Sequence, residues 1–496
     1  MNALPDDRRT GDLWVWHPKN LDVNALLEAY GQRVAEGVLW LGHCVFTGLA
    51  DHARYRDTGR VPLKAEYLYR IIGRHHVDAV RQAAFEVGYV DRDPSYRAGH
   101  YSRAYWIVVP YDSARLVQRE IADFGLRNNI RRWQKERRQE MLRTIEEDGS
   151  LVAAPVRRHL WDNLQRVRID AGIDFSETLP ESFHPAYQVA AARIRERRLW
   201  FKVDDYGRVH TNLTNLPRAL RRCLSVDGER LANVDISESQ PLFLGLAIAR
   251  AFQARESLSS QTDGSPNVRR PDGSEPADQA EEKKAKQPGG GPLLPLRLTL
   301  FMFDKRPQFM FDSNPHVVGT LDRSRLPADL RHYLGLCEAR HLYGTVADRL
   351  GLSRDEAKKL VMVVFFGKPR HRNAASPVFD ELFPSLMETM RQMKRGDYRR
   401  LAHVAQRLES AFMFGQVLPH LMRSWPDLFI ATVHDSVLTV EEQAEFVRQV
   451  VLNEFAPLGL SPQVKVERYS QRDQTPGGDH LPAGPVPSGT AGGLKK

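Results

Sequence analysis

Three cysteines in 496 residues, Cys44, Cys223 and Cys337, are too few and too scattered for a disulfide framework or a cysteine-based zinc cluster. No run approaches the roughly 20 consecutive apolar residues that a membrane-spanning helix needs. The opening residues, Met1 to Arg9, lack the basic-then-apolar layout of a secretory signal. No Gly-x-Ser-x-Gly elbow occurs, which disfavours a serine hydrolase. No histidine stands at metal spacing from a second ligand, which disfavours a zinc enzyme. Gly367-Lys368 has neither the upstream glycine nor the following Ser or Thr of a phosphate-binding P-loop. The expectation is a soluble protein of a reducing, cytoplasmic compartment with no membrane partner.

What the sequence does contain is enough to fold. It is 42% hydrophobic, 27% charged and 9% aromatic, an ordinary balance for a chain with a sizeable core. At roughly 150 residues per domain, its length suits about three domains or one large enzyme with appendages. Lys and Arg total 71 against 62 Asp and Glu, a formal charge of +9 that points to a polyanionic partner. Arg131-Arg132, Arg137-Arg138, Arg157-Arg158, Arg193 to Arg198 and Arg221-Arg222 concentrate that surplus, with Trp133, Trp161 and Trp200 among them. Each run alone is equally well a solvated helix face; the clustering favours phosphate contact.

Composition and periodicity divide the chain. Residues 253–297 and 471–496 are rich in Gly, Pro, Ser and charge and poor in apolar residues, and are expected to be disordered. Within 1–110, the stretch 61–110 shows two helical periodicities (Leu63 to Ile72, Val77 to Val87), an extended segment from Tyr89, a polar turn and a strand from Ala104. That order is winged-helix-like, with Arg92, Arg97, His100 and Arg103 on the wing, and such a module either binds DNA or serves as a scaffold. Arg115 to Glu147 and Leu164 to Leu199 read as long basic helices. Beyond Phe201 strands and helices mix.

Three segments carry chemistry. Leu231 to Asp235 is a short apolar run ending in an aspartate, followed by Ser237-Glu238-Ser239-Gln240-Pro241, a helix N-terminus. A strand-end aspartate before a helix is placed for metal ligation. Leu428 to Val433 and Ser436 to Val440 are β-rich runs around His434-Asp435, the pattern of a hairpin with an aspartate near its apex. Two such carboxylates on adjacent strands would hold a pair of Mg²⁺ ions for an in-line displacement. In Arg354 to Lys368, Arg354, Lys358, Met362 and Phe366 recur every four residues on one helix face, and Gly367 ends the helix. Two cations and an aromatic so spaced span a nucleotide. An amphipathic core helix with snorkelling basic residues is the plainer alternative.

In this order, the segments resemble motifs A, B and C of family A DNA polymerases and of the related phage-type single-subunit RNA polymerases. Gly207-Arg208 and Asn215-Leu216-Pro217 are similar to segments just before motif A, and Gln406 to the glutamine before motif C. The resemblance implies an α+β right hand: an antiparallel palm sheet, helical fingers and a helical thumb, here with the N-terminal winged-helix-like module. Residues 111–200 would be the thumb, 201–252 and 401–470 the palm, and 298–400 the fingers. It further implies that Asp235 and Asp435, with the Ile236 carbonyl, hold two Mg²⁺ ions, and that Arg354 and Lys358 bind the triphosphate. Phe366 would stand beside the templating pair, with Arg208, His434 and Gln406 near the primer and template.

Some positions depart from the pattern. Gln240 stands where DNA-polymerising members place a ribose-excluding glutamate. Met362 and Asp435-Ser436 match the RNA-polymerising branch, yet Phe366 lacks the hydroxyl that branch uses to read ribose. No proofreading exonuclease is recognisable. The expected activity is template-directed nucleotidyl transfer by a DNA-directed DNA polymerase of bacterial, phage or mobile-element origin. It would act as a monomer on DNA primer-template and nucleoside triphosphates, with an accessory replication protein as a further candidate partner. RNA polymerase or primase activity on the same fold is the alternative, and an inactive nucleic-acid-binding protein is the alternative of another class.

Overall fold

The computed structural model describes residues 13–94, 102–147, 150–169, 184–262 and 320–469. Its architecture is α+β. A six-stranded sheet runs in the order Ala431–Val433, Ser436–Val440, Glu229–Ile236, Leu224–Val226, Val167–Ile169, with Val464–Arg468 also pairing on Glu229–Ile236. Each pairing is antiparallel. The strand Glu229–Ile236 is central because its apolar residues have a layer to bury against on each face.

Strand side chains alternate between faces. Ala232, Val234 and Ile236 enter one core, shared with Phe243, Phe365, Phe412 and Phe455 from the helices that follow. Leu231 and Leu438 enter a second core, which is built mainly by the N-terminal third of the chain. Asp235 falls in phase with Leu231 and stays half-buried beyond the edge of that second core. The alternation therefore delivers a carboxylate to the open end of an otherwise covered sheet face.

The N-terminal third has its own three-stranded sheet, ordered Val61–Pro62, Ala104–Ile107, Val90–Arg92. Helices Ala65–Ile72 and Val77–Glu86 lie between its strands in sequence, as their periodicity predicts. Ahead of them, Val23–Asp51 is two helical stretches joined at Gly31 (φ 73°, ψ 164°). Asp22 caps that segment by accepting from the Asn24 and Ala25 backbone N–H groups at 3.1 and 3.0 Å. The wing residues Arg97 and His100 lie outside the described residues. Arg92 stacks on Phe85, its guanidinium 5.0 Å from the ring centroid.

The basic helices are more broken than their composition suggests. Leu116–Glu120 is a strand pairing with Trp14–Pro18, and the helix begins only at Phe124 and runs to Glu146. The segment expected as one helix from Leu164 to Leu199 ends its first helix at Arg166 and forms the strand Val167–Ile169. It is helical again over His184–Arg195. Tertiary pairing overrides helix propensity at both breaks: β-branched or apolar residues there fill the second core. The helix Ser239–Thr262 also continues past the expected boundary at Gln253; the rest of that insertion and the 471–496 tail lie outside the described residues. No described helix is long and apolar enough to cross a membrane.

Candidate active site

Asp235 stands opposite Ser436 on one neighbouring strand and opposite Lys465 on the other. Val433 pairs with Ser436, so His434-Asp435 forms a two-residue hairpin turn and Asp435 adjoins Asp235. Burial, then the Asp435 charge, pushes the Asp235 carboxyl up to about 7; Lys465 and Lys358 oppose that rise. Glu238 and His434 hold left-handed backbone, at φ 53° and 57°. Non-glycine residues keep that conformation only where their surroundings impose it. The strained positions sit within three residues of Asp235 and next to Asp435.

The helix Arg354–Phe366 faces this pair. Its start is a capping box: the Glu356 N–H donates to the Ser353 hydroxyl at 3.3 Å, and the Ser353 N–H donates to the Glu356 carboxylate at 2.9 Å. Its end requires glycine, since a Cβ on Gly367 would lie 2.4 Å from the Val363 carbonyl oxygen. The expected stripe is real for three members, which converge on one ring. The Arg354 guanidinium and the Lys358 ammonium lie 5.3 and 6.0 Å from the Tyr343 centroid. The Tyr343 hydroxyl donates to Met362 Sδ at 3.9 Å. Arg354 also donates to the Glu238 carboxylate at 2.7 Å, and the Glu238 side chain is 1% exposed. Lys358 is exposed, while Phe366 and Met362 are half-buried, Phe366 against Phe365 at 6.1 Å between centroids.

Behind the carboxylate pair lies a polar chain that sequence reasoning missed. Arg208, on the turn between Phe201–Val203 and Val209–Thr211, donates to Glu409 Oε2. The single Ser239 hydroxyl hydrogen has two acceptors in reach, Glu409 Oε1 at 2.7 Å and Asp435 Oδ2. Burial, then Asp435, pushes Glu409 up to about 7, against Arg208 and Ser239. Gln406 is half-buried one turn earlier on the same helix, Arg400–Phe412. Gln240 is half-buried at the second position of Ser239–Thr262. Ile236 buries its side chain in the first core, which leaves only its backbone for ligation.

Glu409, Tyr343 and Glu238 had no motif to announce them. The signal that could have found Glu409 is a lone acid on the apolar face of an amphipathic helix, at i+3 from Gln406. Lys394 was missed for the same reason. Its ammonium donates to the Val364 and Gly367 carbonyls at 2.6 and 3.3 Å, covering the C-terminal end of the Arg354–Phe366 helix. Burial lowers Lys394 from 10.5 to about 8. Between these two values the unfolded chain holds a proton that the folded chain does not, so stability should rise with pH across that window. Lys394→Met should remove this rise. Melting curves of both proteins from about pH 7.5 to about pH 10.5 test it; parallel curves would show that Lys394 titrates normally.

The donor set fits divalent cations in character. Two carboxylates adjoin one another, and burial, then the Asp435 charge, raises the Asp235 carboxyl. Among the described residues, no group of three or more His, Cys, Asp or Glu forms a metal cluster, so any ion would lean on the two aspartates and backbone.

No protein-family model matches the chain, and no curated protein matches it. Among solved structures, the chain is similar to the POL domain of Pol1 from M. smegmatis, in complex with DNA primer-template and dNTP. Identity is 14% and the TM-score 0.25, over 70% of this chain and 73% of that chain. A likeness at this TM-score carries no weight for fold or function.

Proposed function

We propose that the chain is a template-directed nucleotidyltransferase. More particularly, it is a DNA polymerase of the family A type. The observation that carries the reading is the juxtaposition of Asp235 and Asp435 at the open end of the central sheet, facing the Arg354–Phe366 helix. Those residues come from segments 200 positions apart, and a carboxylate pair in which Asp235 is pushed up to about 7, beside two cations, suits a phosphoryl-transfer site.

In this reading Asp235, Asp435 and the Ile236 carbonyl hold two Mg²⁺ ions. When bound, such ions activate an attacking 3′-hydroxyl and stabilise charge on the leaving pyrophosphate. The chain's own side chains do the rest. Lys358 and Arg354 grip the triphosphate, and Tyr343 keeps both cations on one face. Glu238 holds Arg354 in place before nucleotide arrives. Phe366 lies beside the base pair, and Arg208 with His434 contacts the primer end. The helix Phe124–Glu146 turns Arg132 and Lys135 to solvent for duplex phosphates, as a thumb would.

The N-terminal module is winged-helix-like in this reading and acts as a scaffold. Its second helix exposes Asp78, Gln82 and Glu86, a face that would repel phosphates.

Extension of a labelled primer–template with Mg²⁺ tests the proposal, with dNTPs and NTPs in separate reactions. The expected result is Mg²⁺-dependent addition, faster with dNTPs. Faster addition of NTPs would assign RNA synthesis to the same site. Binding without any extension would favour the nucleic-acid-binding alternative.

A further inference from the structure

Glu409 is 2% exposed and sits on a helix that carries neither aspartate nor the nucleotide-facing cations. Its two oxygens serve different partners. Oε2 takes Arg208, and Oε1 takes the Ser239 hydroxyl, which also touches Asp435. A buried ion pair that served stability alone would need no connection to Asp435. Here four side chains from four segments form one continuous path: Arg208, Glu409, Ser239, Asp435. Arg208 also keeps an unused donor, since its Nε is buried and has no hydrogen-bond partner among the described residues.

We infer that Glu409 is a positioning residue that couples nucleic-acid contact at Arg208 to divalent-cation binding at Asp435. The inference rests on the polymerase reading for the two ligands. Its sign follows from donor counting. Ser239 has one hydroxyl hydrogen and two carboxylate neighbours. With Arg208 in place, Glu409 already has a cationic donor, and the Ser239 hydrogen is free to engage Asp435. When a primer end draws Arg208 away, the Ser239 hydroxyl becomes the donor that Glu409 retains. Asp435 Oδ2 is then released to ligate a cation. Primer–template should therefore tighten cation binding, and by linkage the cation should tighten primer–template by the same factor.

The test uses the full chain, Mn²⁺ as the probe, and a primer ending in a dideoxynucleotide so that no chemistry occurs. Mn²⁺ binding is measured with and without primer–template, and D435N is subtracted as the blank. In the wild type, primer–template should lower the Mn²⁺ dissociation constant about 5–10-fold. S239A keeps the Arg208–Glu409 pair but cuts the path, and should bring the factor to about 1 while the protein still binds DNA. E409Q should do the same, and S239T, which keeps the hydroxyl, should restore the factor. Melting curves confirm that each variant is folded. An undiminished factor in S239A would overturn the inference, as would a wild type that binds Mn²⁺ with no enhancement; both leave the polymerase reading standing. A wild type that binds no more Mn²⁺ than D435N would overturn both.

Discussion

Replacing Asp235 or Asp435 by asparagine is expected to abolish nucleotide incorporation while leaving DNA affinity near that of the wild type. Asparagine keeps the shape of aspartate and removes its charge. Asp235 lies near the end of the central strand, paired with Ser436 on one side and Lys465 on the other, so the substitution should not disturb strand register. With one carboxylate gone, a single anionic anchor is left for two cations, and the loss in turnover should reach on the order of 10³-fold or more. DNA affinity should survive because the exposed cations of Phe124–Glu146 lie on another segment. Metal-free Asp235→Asn should melt no lower than the wild type, since it relieves the repulsion from Asp435. Single-turnover extension, equilibrium DNA binding and thermal melts together decide the matter. Extension at wild-type rate by either variant would end the polymerase reading.

The second large effect is expected at Lys358, and its contrast with Phe366 separates function from packing. Lys358 is exposed, and its ammonium lies 6.0 Å from the Tyr343 centroid, one turn beyond Arg354. Removing an exposed lysine changes stability little. Removing a cation that follows charge onto the leaving group lowers both turnover and nucleotide affinity, because the contact strengthens in the transition state. Lys358→Ala should therefore lose roughly 10²–10³-fold in kcat/KM with an unchanged melting curve. Phe366→Ala should behave oppositely. Its ring is half-buried against the first core and Phe365, so the variant should lose about 1–3 kcal/mol of stability. Base selection should suffer and triphosphate affinity should hold. If the helix were only an amphipathic core element, Lys358→Ala would extend primers normally and only the Phe366 variant would show a defect.

The features that were legible in the sequence are those whose cause is local. The hairpin at His434-Asp435 follows from β-rich runs on either side of a two-residue turn. The Arg354–Phe366 helix announces its own limits through Ser353, Glu356 and Gly367, all within a few residues of the ends they set. Ser239 begins its helix where the N-terminal signal predicts. The basic helices were overextended because charge and propensity continue through Leu116–Glu120 and Val167–Ile169, and nothing local marks a strand there. Those strands exist only because partners at Trp14–Pro18 and Leu224–Val226 present complementary edges.

Local signals along the chain put both aspartates at a strand end and a hairpin turn, and set Arg354, Lys358 and Met362 on one helix face. Period and turn chemistry act over a few residues, so one chain suffices to read them. It is long-range packing that makes the two aspartates adjoin, brings Tyr343 onto the stripe, lays Lys394 over the helix end and links Arg208 to Asp435 through Glu409. Each of these depends on a polar group finding its partner far along the chain, 201 positions away for Arg208 and Glu409 and 196 for Ser239 and Asp435. A buried polar side chain must be satisfied somewhere, but its own neighbours in sequence do not say where; packing of the two cores against the central sheet does.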